Sequence, residues 1–126
     1  MIATARCDAT AAWQALREHH TNAGRAFDLR TAFASDAGRF EAFALEAPEV
    51  FADLSKNLWD SRTRELLLEL AHQCGVARRR DAMLAGDPIN ATEGRAVLHT
   101  ALRAPRGAGP HSQEVHEILD RMLAFA

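Results

Sequence analysis

Lysine is almost missing from these 126 residues; Lys56 is the only one, and arginine carries the rest of the positive charge. Cysteine is scarce as well. Cys7 and Cys74 cannot make a disulfide framework, and two such thiols are expected to stay reduced in a cytoplasmic protein. An excess of one charge is missing too. The formal net charge is −2 and the pI about 6.3, so the overall field offers no attraction to nucleic acid or to an anionic membrane. Aromatic residues are 6% of the chain and are not interleaved with basic ones, which argues against a base-stacking surface. No apolar run approaches the roughly 20 residues of a membrane span. The opening MIATARCDATAAW lacks the apolar centre of a signal peptide.

Chemical motifs are also short. Six histidines are present, yet no HExxH and no paired CxxC occurs, so metal-ligand spacing fails and no metal or other cofactor is expected. His19 and His20 are adjacent, which on a helix points them about 100° apart. His111 and His116 straddle a loop-to-helix junction. There is no glycine-rich phosphate loop and no GxSxG elbow. Arg78, Arg79 and Arg80 stand in a row and read as a solvated helix face. Spacing alone therefore assigns no catalytic, substrate-binding or metal-binding residue.

What is present is one domain's worth of chain with helical periodicity. Hydrophobic residues make up 48% and charged residues 25%, which excludes disorder over the whole length. DATAAWQALREHH places Ala9, Trp13, Leu16 and His20 at helical spacing. Asp8 or Thr10 can cap it, and Asn22 and Gly24 can stop it. Another helical turn or two follows in DLRTAFASDAGRF, with Asp28 and Asp36 as caps. Around EAPE, the runs at Phe43–Ala47 and Val50–Leu54 alternate as half-buried strands do, and Pro48 suits the turn between them.

DSRTRELLLELAHQCG is the cleanest helix. Asp60 or Ser61 starts it and Gly75 ends it in the left-handed conformation. Leu66, Leu67, Leu70, Ala71 and Cys74 form its apolar stripe. VARRRDAMLAG continues to a second stop at Gly86. In the last helix Ser112 is the expected cap, and Val115, Ile118, Leu119, Met122 and Leu123 follow the amphipathic pattern. That stripe runs to the last residue, as in a chain cut within an element or in a frayed natural terminus.

INATEGRAVLHTALR draws the most attention. Asn90 and Glu93 are spaced as a capping box, and Val97, Leu98, Ala101 and Leu102 make an apolar face. Arg95, His99 and Arg103 recur at i, i+4 and i+8. A helix starting at Asn90 would set these three along one side, where they suit an anion or a carboxylate.

The same segment resembles the IN-x-TE-x-RAVLH-x-ALR signature of the glucose-6-phosphate isomerase (phosphoglucose isomerase) family. DLSKN resembles that family's D-x-SKN, and RRRDAMLAGDPIN is similar to its RE-x-MF-x-GE-x-IN. LRTAFASDAGRFEAF resembles its LR-x-LF-x-D-x-x-RF-x-x-F, and EVHEILDRMLAFA is similar to the helix after the loop. Order and spacing agree from about Trp13 to Ala126. The loop APRGAGPHS is shorter than is common in the family, and Leu84 and Gly86-Asp87-Pro88 replace a phenylalanine and Gly-Glu-Lys.

The resemblance implies a mainly α fold with a small β-hairpin. Residues 1–126 would be the amino-terminal helical segment of a longer α/β sugar-isomerase-type protein, without its sugar-isomerase domains. It implies aldose–ketose isomerisation of glucose 6-phosphate to fructose 6-phosphate by a cytoplasmic homodimer, through an enediolate and a glutamate base. The sugar-phosphate loop, that glutamate, the ring-opening histidine and a late lysine would lie downstream, so the segment alone should be inactive. Of the residues present, Arg95 is implied to lie beside the active site, favouring the charged form of the glutamate. The competing expectation is a stand-alone helical protein-interaction module without activity. A fragment should leave the Val115–Leu123 or Val97–Leu102 face short of partners.

Overall fold

The computed structural model describes residues 6–126, which fall into two compact units, residues 6–73 and 74–126. Seven α-helices and one antiparallel hairpin are found among the described residues, so the mainly helical expectation holds.

In the first unit, α1 spans Ala11–Asn22 and α4 spans Ser61–Gln73. They pack against each other antiparallel, and hydrogen bonds tie them at both ends. Helix amino termini leave N–H groups without intrahelical partners. Thr10 takes one by accepting from the Trp13 N–H at 3.2 Å. The Gln73 side chain, at the far end of α4, takes another by accepting from the Ala12 N–H at 3.0 Å. At the opposite end Asp60 caps α4, accepting from the Thr63 N–H at 2.7 Å, and His19 of α1 lies 3.0 Å from the same carboxylate oxygen. Ala12 and Leu66 are buried between the helices.

The short helices α2 (Leu29–Ser35) and α3 (Arg39–Phe43) follow. Asp28 caps α2 through the Thr31 N–H at 2.7 Å, as the sequence indicates. Asp36 instead shapes the turn before α3, accepting from the Gly38 N–H at 3.0 Å. Strands β1 (Ala44–Ala47) and β2 (Val50–Asp53) then pair, Ala44 opposite Asp53 and Ala47 opposite Val50. Pro48 and Glu49 make the turn, with Glu49 at φ 62°. Proline followed by a left-handed residue is the pattern of a type II turn. The expected half-burial of the strands fails: Leu45, Val50 and Phe51 are 58–61% exposed. Two strands alone have no second layer to cover a face, and the tilted contact of Phe51 with Phe40 at 6.3 Å is the cover provided.

Arg39 organises the loop that follows the hairpin. Its guanidinium is buried, at 3% exposure for the residue. It donates to the carbonyls of Ser55 (2.8 Å), Asn57 (3.0 Å) and Trp59 (2.9 Å). The rings of Phe27, Phe33 and Phe43 stand 4.7–5.6 Å from its central carbon. A buried charge is tolerated only when its donors are satisfied; here three carbonyls and three aromatic faces do so. Trp59 stacks on Phe43 at 6.2 Å and donates its indole N–H to the Leu54 carbonyl at 3.1 Å. The loop over residues 54–59 is thus fixed from inside by one side chain.

Asp53 fixes the same loop from its start. Its carboxylate accepts from the Ser55 N–H (2.9 Å), the Ser55 hydroxyl (2.5 Å) and Lys56 (2.6 Å). Lys56 and Ser55 together hold its pKa down to about 2.

In the second unit, α5 spans Val76–Leu84, α6 His99–Arg103 and α7 Ser112–Phe125. Gly75 and Gly86 bracket α5 at φ 65° and 78°. Gly86 has a further reason to be glycine: a Cβ there would lie 2.7 Å from Cβ of Pro110. Ser112 is not the cap of α7. It is the first helical residue, fully buried, and its hydroxyl donates to the Gly109 carbonyl at 3.0 Å and accepts the Gly109 N–H at 3.2 Å. The capping position goes to His111, at φ 60° with no side-chain cap bond. Two short polar groups three residues apart satisfy each other in the loop, so the serine is not available to the helix. On α7, Ile118, Met122 and Leu123 are 43–66% exposed, and Leu98 and Leu102 are 39% and 49% exposed. Both apolar faces are therefore covered only in part: Ala101 is buried and Val97, Val115 and Leu119 are half-buried, while the residues just named stay exposed.

The Asp53 turn has a definite acid signature. Its folded pKa of about 2 lies below the ordinary 3.8, so the stability it contributes is complete above pH 4 and is lost as pH falls through 2. An Asp53→Asn variant should melt below the native chain at pH 6, and the gap should narrow markedly by pH 2, where about half of the folded carboxylate is protonated. A gap unchanged between the two pH values, measured by circular dichroism, would contradict the assignment.

Candidate functional site

The signature segment opens as a closed loop. The Asn90 N–H donates to the Arg95 carbonyl at 3.1 Å, and the Gly94 N–H donates to the Asn90 carbonyl at 2.8 Å. The Asn90 side-chain oxygen accepts from the N–H groups of Thr92 (3.2 Å) and Glu93 (3.4 Å). Gly94 takes φ 64°, which glycine adopts at no steric cost. Asn90 and Arg95 form an isolated antiparallel bridge across the turn.

The expected helix from Asn90 is therefore corrected. Helix begins only at His99 and ends at Arg103. An asparagine uses the same side-chain oxygen to cap a helix and to close a turn. The left-handed Gly94, inside what would be the first helical turn, decides for the turn. The row of Arg95, His99 and Arg103 falls with the helix, because Arg95 sits on the bridge and only the other two are helical. Arg103 turns back to donate to the His99 carbonyl at 3.1 Å. Arg95 is exposed, and its side chain has no hydrogen bond or ion pair among the described residues. The loop thus presents one uncommitted guanidinium from a closed six-residue frame.

The histidines do not converge. His116 reaches the Ala104 carbonyl at 2.9 Å. His19 lies against Asp60. Burial would raise the Asp60 carboxyl, but the Thr63 N–H and hydroxyl together with His19 outweigh it and set the pKa below the ordinary value. This is a helix cap reinforced by a neighbouring histidine. Among the described residues no three of His, Cys, Asp and Glu are arranged to hold a metal ion. No helix among them is long and apolar enough to cross a membrane.

The functional-looking residue that periodicity misses is Arg39. It lies in GRF, with no amphipathic pattern around it. The available signal was its aromatic company, Phe27, Phe33 and Phe43, and its place in the family-like string LRTAFASDAGRFEAF. It joins that string to DLSKN physically, because Arg39 binds the carbonyls of Ser55 and Asn57.

The chain also matches known proteins along its length. A family profile described as phosphoglucose isomerase matches residues 53–126. The glucose-6-phosphate isomerase of Leptothrix cholodnii is 73% identical over 122 residues, 97% of this chain and 22% of the relative. That of Methylibium petroleiphilum is 64% identical over 121 residues, 96% and 22% respectively. The Deinococcus deserti enzyme is 48% identical over 123 residues, 93% and 22%. The chain thus spans about a fifth of the length of these curated relatives. On the profile match over residues 53–126 and on these identities, the chain belongs to the phosphoglucose isomerase family.

Proposed function

We propose that residues 1–126 are the amino-terminal helical segment of a glucose-6-phosphate isomerase and that this segment has no isomerase activity by itself. The whole protein would interconvert glucose 6-phosphate and fructose 6-phosphate as a cytoplasmic homodimer. The observation that carries the reading is the 73% identity running over 97% of the chain and over only 22% of the relative. The exposed apolar faces of α7 and of Leu98–Leu102 support a segment that packs against further chain.

In this reading Arg95 belongs beside the active site of the whole protein. Its exposed, uncommitted guanidinium, set on a closed loop, is available to a carboxylate from another segment. Next to a glutamate base it would favour the charged form and place positive charge near a developing oxyanion.

Two measurements test these statements. Purified residues 1–126, supplied with fructose 6-phosphate and coupled to glucose-6-phosphate dehydrogenase, should give no turnover above the enzyme-free blank. Any turnover overturns the segment's inactivity. In the longer protein carrying this segment, Arg95→Gln should lower kcat by about tenfold, near 1.4 kcal/mol of barrier, and move the acid limb of the pH–rate profile upward, because the glutamate loses a neighbouring cation. Arg95→Lys should restore part of both. An unchanged profile would remove Arg95 from the site.

A further inference from the structure

We propose that the groove beside α1 is a binding site for a small monoanion with a flat apolar body, such as an aryl carboxylate. The proposal is separate from the isomerase reading and uses none of its residues. The groove holds about 420 Å³, within the range of small-molecule pockets. Trp13, Leu16, Leu58 and Leu67 supply apolar lining, and Arg17 and Arg25 stand at the same groove.

Three observations favour an anion over a neutral apolar guest. No aspartate or glutamate lines the groove, whereas two arginines and two histidines do. Arg17 and Arg25 are exposed, and their guanidinium groups have no hydrogen bond or ion pair among the described residues. Asp60, the carboxylate that contacts the lining residue His19, is engaged by His19 and Thr63. A guanidinium that faces a carboxylate gives the stronger, charge-assisted kind of hydrogen bond.

The wall is also built in advance. Leu58 is 71% exposed, yet it sits in the loop whose carbonyls at Ser55, Asn57 and Trp59 are bound by Arg39. With the backbone already fixed, only the rotamer freedom of the leucine remains to be lost when a ligand arrives, which is the advantage of preorganisation. Across the groove, Trp13 offers a half-buried aromatic surface on α1, and α1 is tied at both ends to α4. Gly24 completes the lining where His20 comes within 3.1 Å of the position a Cβ would take.

The probes are 2-naphthoate and its uncharged counterpart 2-naphthamide, titrated into the isotopically labelled chain and followed in amide correlation spectra. Saturable shifts should centre on Trp13, His20, Gly24 and Leu58. The amide should bind at least fivefold more weakly than the acid. An Arg17→Gln/Arg25→Gln double variant, altered only at exposed positions, should lose at least fivefold in affinity for naphthoate and keep its affinity for naphthamide. Equal binding of the two probes, an unaffected double variant, shifts centred elsewhere, or no saturable shift would each overturn the proposal.

Discussion

The residues 6–73 unit depends on one buried cation. Arg39 reaches from α3 into the loop after the hairpin and binds three alternate carbonyls, at residues 55, 57 and 59. A planar fork with several fixed donors can do this; an ammonium on a flexible stem cannot span the same set. The consequence reaches in two directions. Toward the chain start, three phenylalanines gather on the guanidinium and bring α2 and α3 together. Toward α4, the loop delivers Trp59 onto Phe43 and Asp60 onto the first turn of the helix. Only Ala12, Phe43 and Leu66 are buried hydrophobics in this unit. With so small an apolar core, a satisfied buried charge takes over the task of specifying the loop.

The two ties between α1 and α4 act on the same frame. Gln73 at one end and the His19–Asp60 contact at the other fix the relative register of the helices. The first tie takes the Ala12 N–H, which a helix terminus would otherwise leave without a partner, and the second uses the carboxylate that already caps α4. The same economy appears in the second unit, where Gly86 gives Pro110 room and Ser112 closes on Gly109. Local polar satisfaction and close backbone approach, rather than bulk burial, set these loops.

The helices were legible because their signals are local. Thr10, Asp28 and Asp60 cap where the sequence indicates, and Gly75 and Gly86 take the left-handed conformation expected of stops. The hairpin turn was legible from Pro48. The Asn90 segment was misread because its opening chemistry serves a cap and a turn equally, and the amphipathic spacing beyond it completes a helix on paper. Gly94 held the deciding information. Ser112 was misread for a related reason: a hydroxyl before an apolar stripe is a good cap unless a loop partner takes it first. Arg39 was illegible to periodicity, since its partners are backbone carbonyls 16 to 20 residues away, and carbonyls have no sequence identity. Its phenylalanine company and the resemblance to a family string were the signals that marked its place.

The central claim is that the Arg39 fork, and not merely a positive charge at that position, holds the residues 6–73 unit. Urea unfolding of the native chain beside Arg39→Lys and Arg39→Met, followed by Trp59 and Trp13 fluorescence, tests it most directly. Removing the guanidinium leaves the carbonyls of Ser55, Asn57 and Trp59 without their donor, at about 1 kcal/mol for each lost bond, or about 3 kcal/mol in all. Both variants should lose about that much, with lysine recovering less than a third of it. A lysine variant within about 0.5 kcal/mol of the native chain, the spread of ordinary surface substitutions, would contradict the account.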